Sequence, residues 1–315
     1  MCYLFAADIC ARLYFVHENC DLTKQTLSCV SDWCYQSQFT CDHQCNAPEK
    51  WDHANSNCAG KYQSPINIVT RKALKDERLT RFQFNNYQEI FRGSVKNNGH
   101  SVQVGIPHLR TISGGGLPAT YKAVQFHLHW GTNGGPGSEH TIDGEQYPME
   151  LHIVHMKEQY TDLTTALSDS EGVAVLGFFY EVTILTEIFV FLLSEFDVTT
   201  NQILTSLAGI SLSQLIPSEQ NLTTYYRYKG SLTTPGCTEA VIWTLFESPI
   251  PLSADQLQVF SELKFRDGKP MVDTFRPVQP LNGRRVFRSG SAVILASSAL
   301  LVAAMATALG LSQPN

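Results

Sequence analysis

The stretch Gln125-Phe126-His127-Leu128-His129-Trp130 alternates polar and bulky apolar side chains with a period of two. That period suits a β-strand, because successive strand side chains point to opposite faces. Gln125, His127 and His129 then share one face, with Phe126 and Leu128 behind them. Two imidazoles on one face can hold a first-row metal, zinc first among them. Alone they are weak evidence for a metal and read more readily as hydrogen-bonded core or surface histidines. A second strand, Met149-Glu150-Leu151-His152-Ile153-Val154, supplies a third imidazole if it lies beside the first. Three protein ligands with an open fourth position describe a catalytic zinc site, whereas a structural site wants a fourth ligand, usually cysteine. Gln125 and Glu150 share the faces of these histidines and can accept an outer imidazole N–H, which fixes the tautomer. A carboxylate such as Glu150 in an apolar interior is costly unless paired.

The rest of the chain supports a mainly β protein with peripheral helices. Its 315 residues are 43% hydrophobic and 17% charged, which is globular rather than disordered. A net charge of −6 leaves no electrostatic footprint for nucleic acid. Strands are expected at Arg81–Phe84, Ser94–Asn97, Ser101–Gly105, Val124–Trp130, Glu150–Lys157 and Ala174–Val182. Turn signals at Asn98-Gly99, Ser113-Gly114-Gly115-Gly116 and Asn133-Gly134-Gly135 separate them. Leu257, Phe260 and Leu263 carry helical spacing through Ser253–Phe265, with Ser253 as N-cap. The apolar run Val182–Phe196 is interrupted by Glu187 and reads as a buried helix rather than a membrane span.

The ends differ from the middle. Residues 1–30 are apolar but broken by Asp8 and Arg12, and read as a degraded signal region or an amino-terminal extension. Residues 31–59 turn loop-like. Eight of nine cysteines fall in the first 58 residues and the ninth is Cys237, with no C-x-x-C pair. This clustering suggests disulfides and an oxidising compartment. Past Arg288, small residues lead into the uncharged run Val293–Leu311, so 289–315 fits a GPI-attachment signal with Ser289 as attachment residue. A retained single-pass helix or a buried helix are the alternatives. Asn221-Leu222-Thr223 is a glycosylation sequon.

Five motifs carry a resemblance. Asn97-Asn98-Gly99-His100-Ser101-Val102, Gln125-Phe126-His127-Leu128-His129-Trp130-Gly131, Ser138-Glu139-His140-Thr141, Met149-Glu150-Leu151-His152 and Gly230-Ser231-Leu232-Thr233-Thr234-Pro235 occur in order at compatible spacing. Together they resemble the α-class carbonic anhydrases from about Trp33 to Arg288, with 182–206 the weakest part. The tail and Cys34, Cys45, Cys58 and Cys237 look most like the GPI-anchored carbonic anhydrase IV branch.

The resemblance implies one catalytic domain, 31–288, on a large, mostly antiparallel twisted sheet. It also implies zinc-dependent, reversible hydration of CO2 to bicarbonate and a proton at the extracellular membrane surface. His127, His129 and His152 would be ligands; Thr233, through Glu139, would orient the attacking oxygen, and Thr234 would line the bicarbonate site. Val154, Val175, Leu232 and Trp243 match the family's apolar CO2 pocket. His100 matches its proton shuttle, with Tyr35, Asn97 and Asn98 ordering the water path. His140 and His155 are left as structural, His155 having opposite strand parity to His152. The branch implies bridges Cys34–Cys45 and Cys58–Cys237, the second contributing roughly 4 to 5 kcal/mol in the chain-entropy view; Cys2, Cys10, Cys20, Cys29 and Cys41 receive no partner. A lipid anchor to the membrane and a bicarbonate transporter are the implied partners. A catalytically silent, carbonic-anhydrase-like binding domain is the alternative function; a zinc peptidase lacks its His-Glu-x-x-His helix.

Overall fold

A twelve-stranded sheet carries the molecule. The computed structural model describes residues 33–40, 45–183, 203–204 and 209–290. The strands are β1 (Asn67–Ile68), β2 (Leu74–Asp76), β3 (Phe82–Asn85), β4 (Val95–Asn97), β5 (Val102–Gly105), β6 (Thr111–Gly114), β7 (Tyr121–Trp130), β8 (Thr141–Ile142), β9 (Glu145–Gln146), β10 (Met149–Lys157), β11 (Val173–Val182), β12 (Ile203–Leu204), β13 (Tyr225–Gly230), β14 (Val241–Leu252) and β15 (Phe287–Ser289). The main path runs β12-β4-β5-β7-β10-β11-β14-β13-β15-β2, with β3 and β6 joined to it through β7. Its pairs are antiparallel except β11 with β14 and β15 with β2. β1, β8 and β9 form a separate small sheet.

The sheet is covered on both faces. β10 and β11 are buried over eight consecutive residues, the pattern of strands with a core on each side. Leu128, Leu151, Ile153 and Leu176 pack into one core, while Val154, Val175, Trp243 and Leu245 pack into the other. The histidines of the opening motif face the second core. There the His152 ring lies 4.8 Å from the ring of Trp243.

Helical structure is short and peripheral. Ser253 caps the helix Ala254–Phe260, accepting the Gln256 amide, but the helix stops at Phe260 rather than Phe265. Leu263 and Phe265 still reach the core beyond it, so apolar spacing outlasts the helix. A four-residue helix, Trp51–Ala54, stands inside the segment expected to be loop. Val182 closes β11, as the expected strand Ala174–Val182 has it, and is 49% exposed; it does not open the buried helix expected over Val182–Phe196. From Ile184 onward that apolar run lies outside the described residues, as do 1–30, 291–315 and Cys41.

Two disulfides join Cys34 to Cys45 and Cys58 to Cys237. The second closes a separation of 179 residues and ties the start of the domain to the loop after Thr233 and Thr234.

His155 enters the core on the face opposite His152, next to a register shift after Val154. It is fully buried, with Nε2 2.6 Å from the Tyr87 hydroxyl and Nδ1 3.3 Å from the Ala174 carbonyl. Burial lowers it from the ordinary 6.5 to about 4, and the contacts to the Ala174 and Ile153 backbone only partly oppose that. The unfolded chain therefore binds the extra proton between these values, and stability falls as pH drops from 6.5 towards 4. Urea unfolding should show about 2 kcal/mol lost to this group alone between pH 7 and pH 5. The His155→Gln variant should show a pH dependence flatter by that amount; an equal slope in variant and parent would sink the assignment.

Candidate active site

The site begins with register. β7 and β10 run antiparallel with His127 opposite His152 and Glu150 opposite His129. Three imidazoles on two adjacent strands thus meet on one face. Their ligand atoms lie within 4.8 Å of one another, with His129 Nε2 3.1 Å and His127 Nε2 3.3 Å from His152 Nδ1. On the next strand Gly177 sits opposite His152. A Cβ there would collide with Leu245 and approach Glu150 Oε1 to 3.4 Å, so the strand keeps glycine beside the site.

Each ring has an outer partner. His127 Nδ1 donates to Gln125 Oε1 at 2.9 Å and His152 Nε2 donates to Glu150 Oε1 at 2.7 Å. His129 Nδ1 donates to the carbonyl of Thr274 at 2.6 Å. A neutral imidazole has one N–H, and all three are committed outward. Burial lowers His127 well below its ordinary range, aided by repulsion from its two neighbours. Burial also lowers His129, although the Glu139 charge acts the other way. Three lone pairs therefore face one point with no proton between them.

Glu139 sharpens the demand for a cation. Its Oε1 accepts the Arg276 amide at 2.9 Å. Its Oε2 is buried without a hydrogen bond, 3.4 Å from His129 Nε2 and 4.0 Å from His152 Nδ1. Thr233 and Glu139 are not hydrogen-bonded in this structure: Oε1 takes the Arg276 amide, and Oε2 accepts no hydrogen bond. A tetrahedron with zinc–nitrogen bonds of about 2.0–2.1 Å has edges of about 3.3 to 3.4 Å, close to the observed nitrogen separations. The donor set fits zinc.

Glu150 is fully buried, yet it is supplied with donors. Oε1 takes His152 Nε2 and His140 Nδ1, each at 2.7 Å, and Oε2 takes the amides of Glu139 and His140, each at 2.8 Å. Burial alone would push this carboxyl up, but electrostatic attraction to His140 and His152 and the hydrogen bonds they donate hold it well below the usual range. His140, read from sequence as structural, is thus a working part of the frame. Its Nε2 continues to the Tyr228 hydroxyl at 2.6 Å, which donates to Ser64 Oγ at 2.8 Å. His140, Glu150 and His152 also form a potential ligand group, but their atoms already pair as donors and acceptors.

The remaining expected residues fall around this centre. Val154, Val175 and Trp243 belong to one buried cluster, against which Leu232 packs. Thr233 is buried and Thr234 half-buried. His100 is half-buried and stacks on Trp33 at 3.8 Å, with Tyr35 edge-on at 6.5 Å. Tyr35 is fully buried; desolvation and the Glu139 charge raise its hydroxyl well above the ordinary range. Asn98 Oδ1 accepts the amides of His100 and Ser101, and its Nδ2 reaches Gln103 Oε1 at 3.4 Å. Asn97 fastens the turn before His100. Its Nδ2 donates to the Lys264 carbonyl and its Oδ1 accepts the Gly99 amide, so both ends hold backbone. Asn221 is exposed. Ser289 is buried: its hydroxyl accepts the Tyr225 amide and donates to the Thr223 carbonyl.

Thr274, Arg276, Tyr228, Ser64 and Gln103 were missed from sequence. Gln103 had a signal, since strand parity in β5 sets it apart from Val102 and Val104, and it pairs opposite His127. Thr274 had none, because it acts through a carbonyl that every residue owns.

Comparison with known proteins agrees with this geometry. Residues 46–290 match the family model described as eukaryotic-type carbonic anhydrase. The chain is 43% identical to carbonic anhydrase 4 of Oryctolagus cuniculus and 41% identical to carbonic anhydrase 4 of Rattus norvegicus, each over 82% of this chain and 85% of the relative. It is 36% identical to carbonic anhydrase 15 of Mus musculus, over 85% of this chain and 86% of the relative. A matching model across most of the chain, together with three histidines presenting their lone pairs to one point, makes this protein a member of the eukaryotic-type carbonic anhydrase family, a lyase acting on CO2.

Proposed function

We propose that the chain hydrates CO2 reversibly to bicarbonate and a proton with zinc held by His127, His129 and His152, at the extracellular face of a membrane. The carrying observation is the set of three inward lone pairs whose outward N–H groups are all committed to Gln125, Thr274 and Glu150. Zinc bound there would act as a Lewis acid, making water nucleophilic near neutral pH.

The protein's own groups do the rest. The apolar wall of Val154, Val175, Leu232 and Trp243 receives CO2, which has no net dipole for a polar site to grasp. Glu139 Oε2 is an acceptor without a partner, suited to the Thr233 hydroxyl. A Thr233 proton held there leaves the hydroxyl oxygen as an acceptor for the attacking water, which fixes its orientation. Thr234 lines the place of the bicarbonate product. His100 takes the released proton, since an unperturbed imidazole titrates close to neutral pH. Asn98, Gln103 and Tyr35 border the path to it.

Residues 31–288 form the catalytic domain, and 289–315 a lipid-attachment signal with Ser289 as its site. Transamidation acts on the main-chain carbonyl, so the buried Ser289 hydroxyl is compatible with it. Asn221 is an exposed glycosylation acceptor, and a bicarbonate transporter is a fitting partner for an enzyme at that surface. Nothing favours the silent-domain reading, which requires loss of a ligand that is here retained.

The purified domain should bind one zinc and accelerate CO2 hydration in a stopped-flow indicator assay; zinc-loaded protein without activity would overturn the reading. His129→Ala should lose both the metal and the rate. His100→Ala should lose on the order of ten- to a hundredfold only at low buffer concentration, with rescue by added imidazole. Cell-surface protein should be released by a phosphatidylinositol-specific phospholipase; retention after treatment would favour a spanning helix.

A further inference from the structure

Residues 271–281 form neither helix nor strand, yet the zinc-site frame depends on them. From this strap the Thr274 carbonyl orients His129, and the Arg276 amide holds Glu139 Oε1. A strap without a hydrogen-bonded ladder keeps its position through other anchors. At the strand side, Thr274 exchanges bonds with Trp130: its amide donates to the Trp130 carbonyl, and its Oγ1 accepts the Trp130 amide, each at 3.0 Å.

On the other side the Gln279 amide donates to the Pro65 carbonyl at 2.8 Å, and the Arg276 side chain supplies the remaining contacts to the segment 58–64. Arg276 is 2% exposed. Its Nη1 donates to Gln63 Oε1 at 2.8 Å and to the Ser64 carbonyl at 2.9 Å; its Nη2 donates to the Cys58 carbonyl at 3.4 Å. The guanidinium lies 5.3 Å from the ring centre of Trp51. Gln63 in turn donates to the Cys237 carbonyl, and Cys58 is bonded to Cys237. The Arg276 guanidinium therefore ties the strap to the segment 58–64, which Gln63 and the disulfide join to the loop carrying Thr233.

Chemistry supports a geometric role for this contact. The hydrogen-bond acceptors of the Arg276 side chain are carbonyl and amide oxygens, with no carboxylate among them. Burial brings it down to about 10, against the attraction of Glu139, so it stays charged at neutral pH. A planar fork can serve three diverging acceptors while its face rests on an indole; a lysine ammonium cannot.

We propose that Arg276 is a positioning residue that holds His129 and Glu139 in register with the Thr233 loop, so that its loss loosens the metal site before it unfolds the domain. This rests on the zinc reading above. The test uses the zinc-loaded protein and its Arg276→Met and Arg276→Lys variants. The readouts are zinc release to a chelator and the NMR signal of the His129 Nδ1–H proton, followed at a temperature where urea titration shows each protein folded. Both variants should release zinc on the order of tenfold faster than the parent, and their His129 N–H signal should broaden or shift. Lysine should not rescue either property.

Folded variants with the parent's zinc release and N–H signal would overturn the proposal, as would full rescue by Arg276→Lys. If neither variant folds, Gln63→Met decides, since it removes one acceptor and leaves the arginine. A smaller acceleration in the same direction is expected there, and an unchanged rate refutes the idea. A parent protein that takes up no zinc would instead sink the metal reading itself, and the proposal with it.

Discussion

The register between β7 and β10 is the constraint on which the site depends. A one-residue slip would turn His152 into the opposite core and bring Leu151 or Ile153 to the metal position. The back of the sheet opposes that slip. Leu151 pairs with Leu128 and Ile153 with Phe126, and these four side chains are buried in one core. The same apolar pairs that hold the sheet together therefore aim three imidazoles at one point. Where the register does shift, after Val154, the next side chain is His155, which is absorbed by Tyr87 on the far face and never reaches the site.

Polar chemistry inside such a sheet needs complete pairing, and Glu150 shows how that is met. An unpaired carboxylate at that depth would be expensive, but four N–H groups converge on it from His152, His140 and two backbone amides. The chain of bonds continues through Tyr228 to Ser64, whose Oγ also receives the Ser231 amide just before the Thr233 loop. His152 and that loop thus share a hydrogen-bonded frame. The one buried carboxylate oxygen of the site without a hydrogen bond, Glu139 Oε2, faces the ring nitrogens.

What could be read from the sequence followed from local parity. His127, His129 and Gln125 share a face because strands have a period of two, and Glu150 stands two residues from His152 for the same reason. The long β strands and the Ser253 cap were visible on similar grounds. Other features lacked such a signal. Thr274 and Arg276 come from an irregular strap more than a hundred residues away, and both act at the site through backbone atoms. The anchoring of Asn97 to the backbone of Gly99 and Lys264 was equally illegible, because an amide next to a turn has more than one use. Val182 received two readings, strand end and helix start, because a short apolar run does not distinguish them, and the strand reading holds.

Rigidity is distributed unevenly, and the distribution suits the chemistry. Ligands and their outer partners sit on β7 and β10, paired in the middle of the sheet, or on a strap fastened at both ends. A ligand that wandered would lose the metal. The proposed shuttle, His100, has the opposite requirement, because a proton carrier must exchange with solvent as well as with the site. His100 accordingly stands on the Asn98-Gly99 turn, half-buried, with its ring stacked flat on Trp33. Stacking on Trp33 defines a resting place for the imidazole. The fold thus concentrates short hydrogen bonds around the three histidines and sets His100 half-buried on a turn against an indole face, an arrangement that suits the proposed proton transfer.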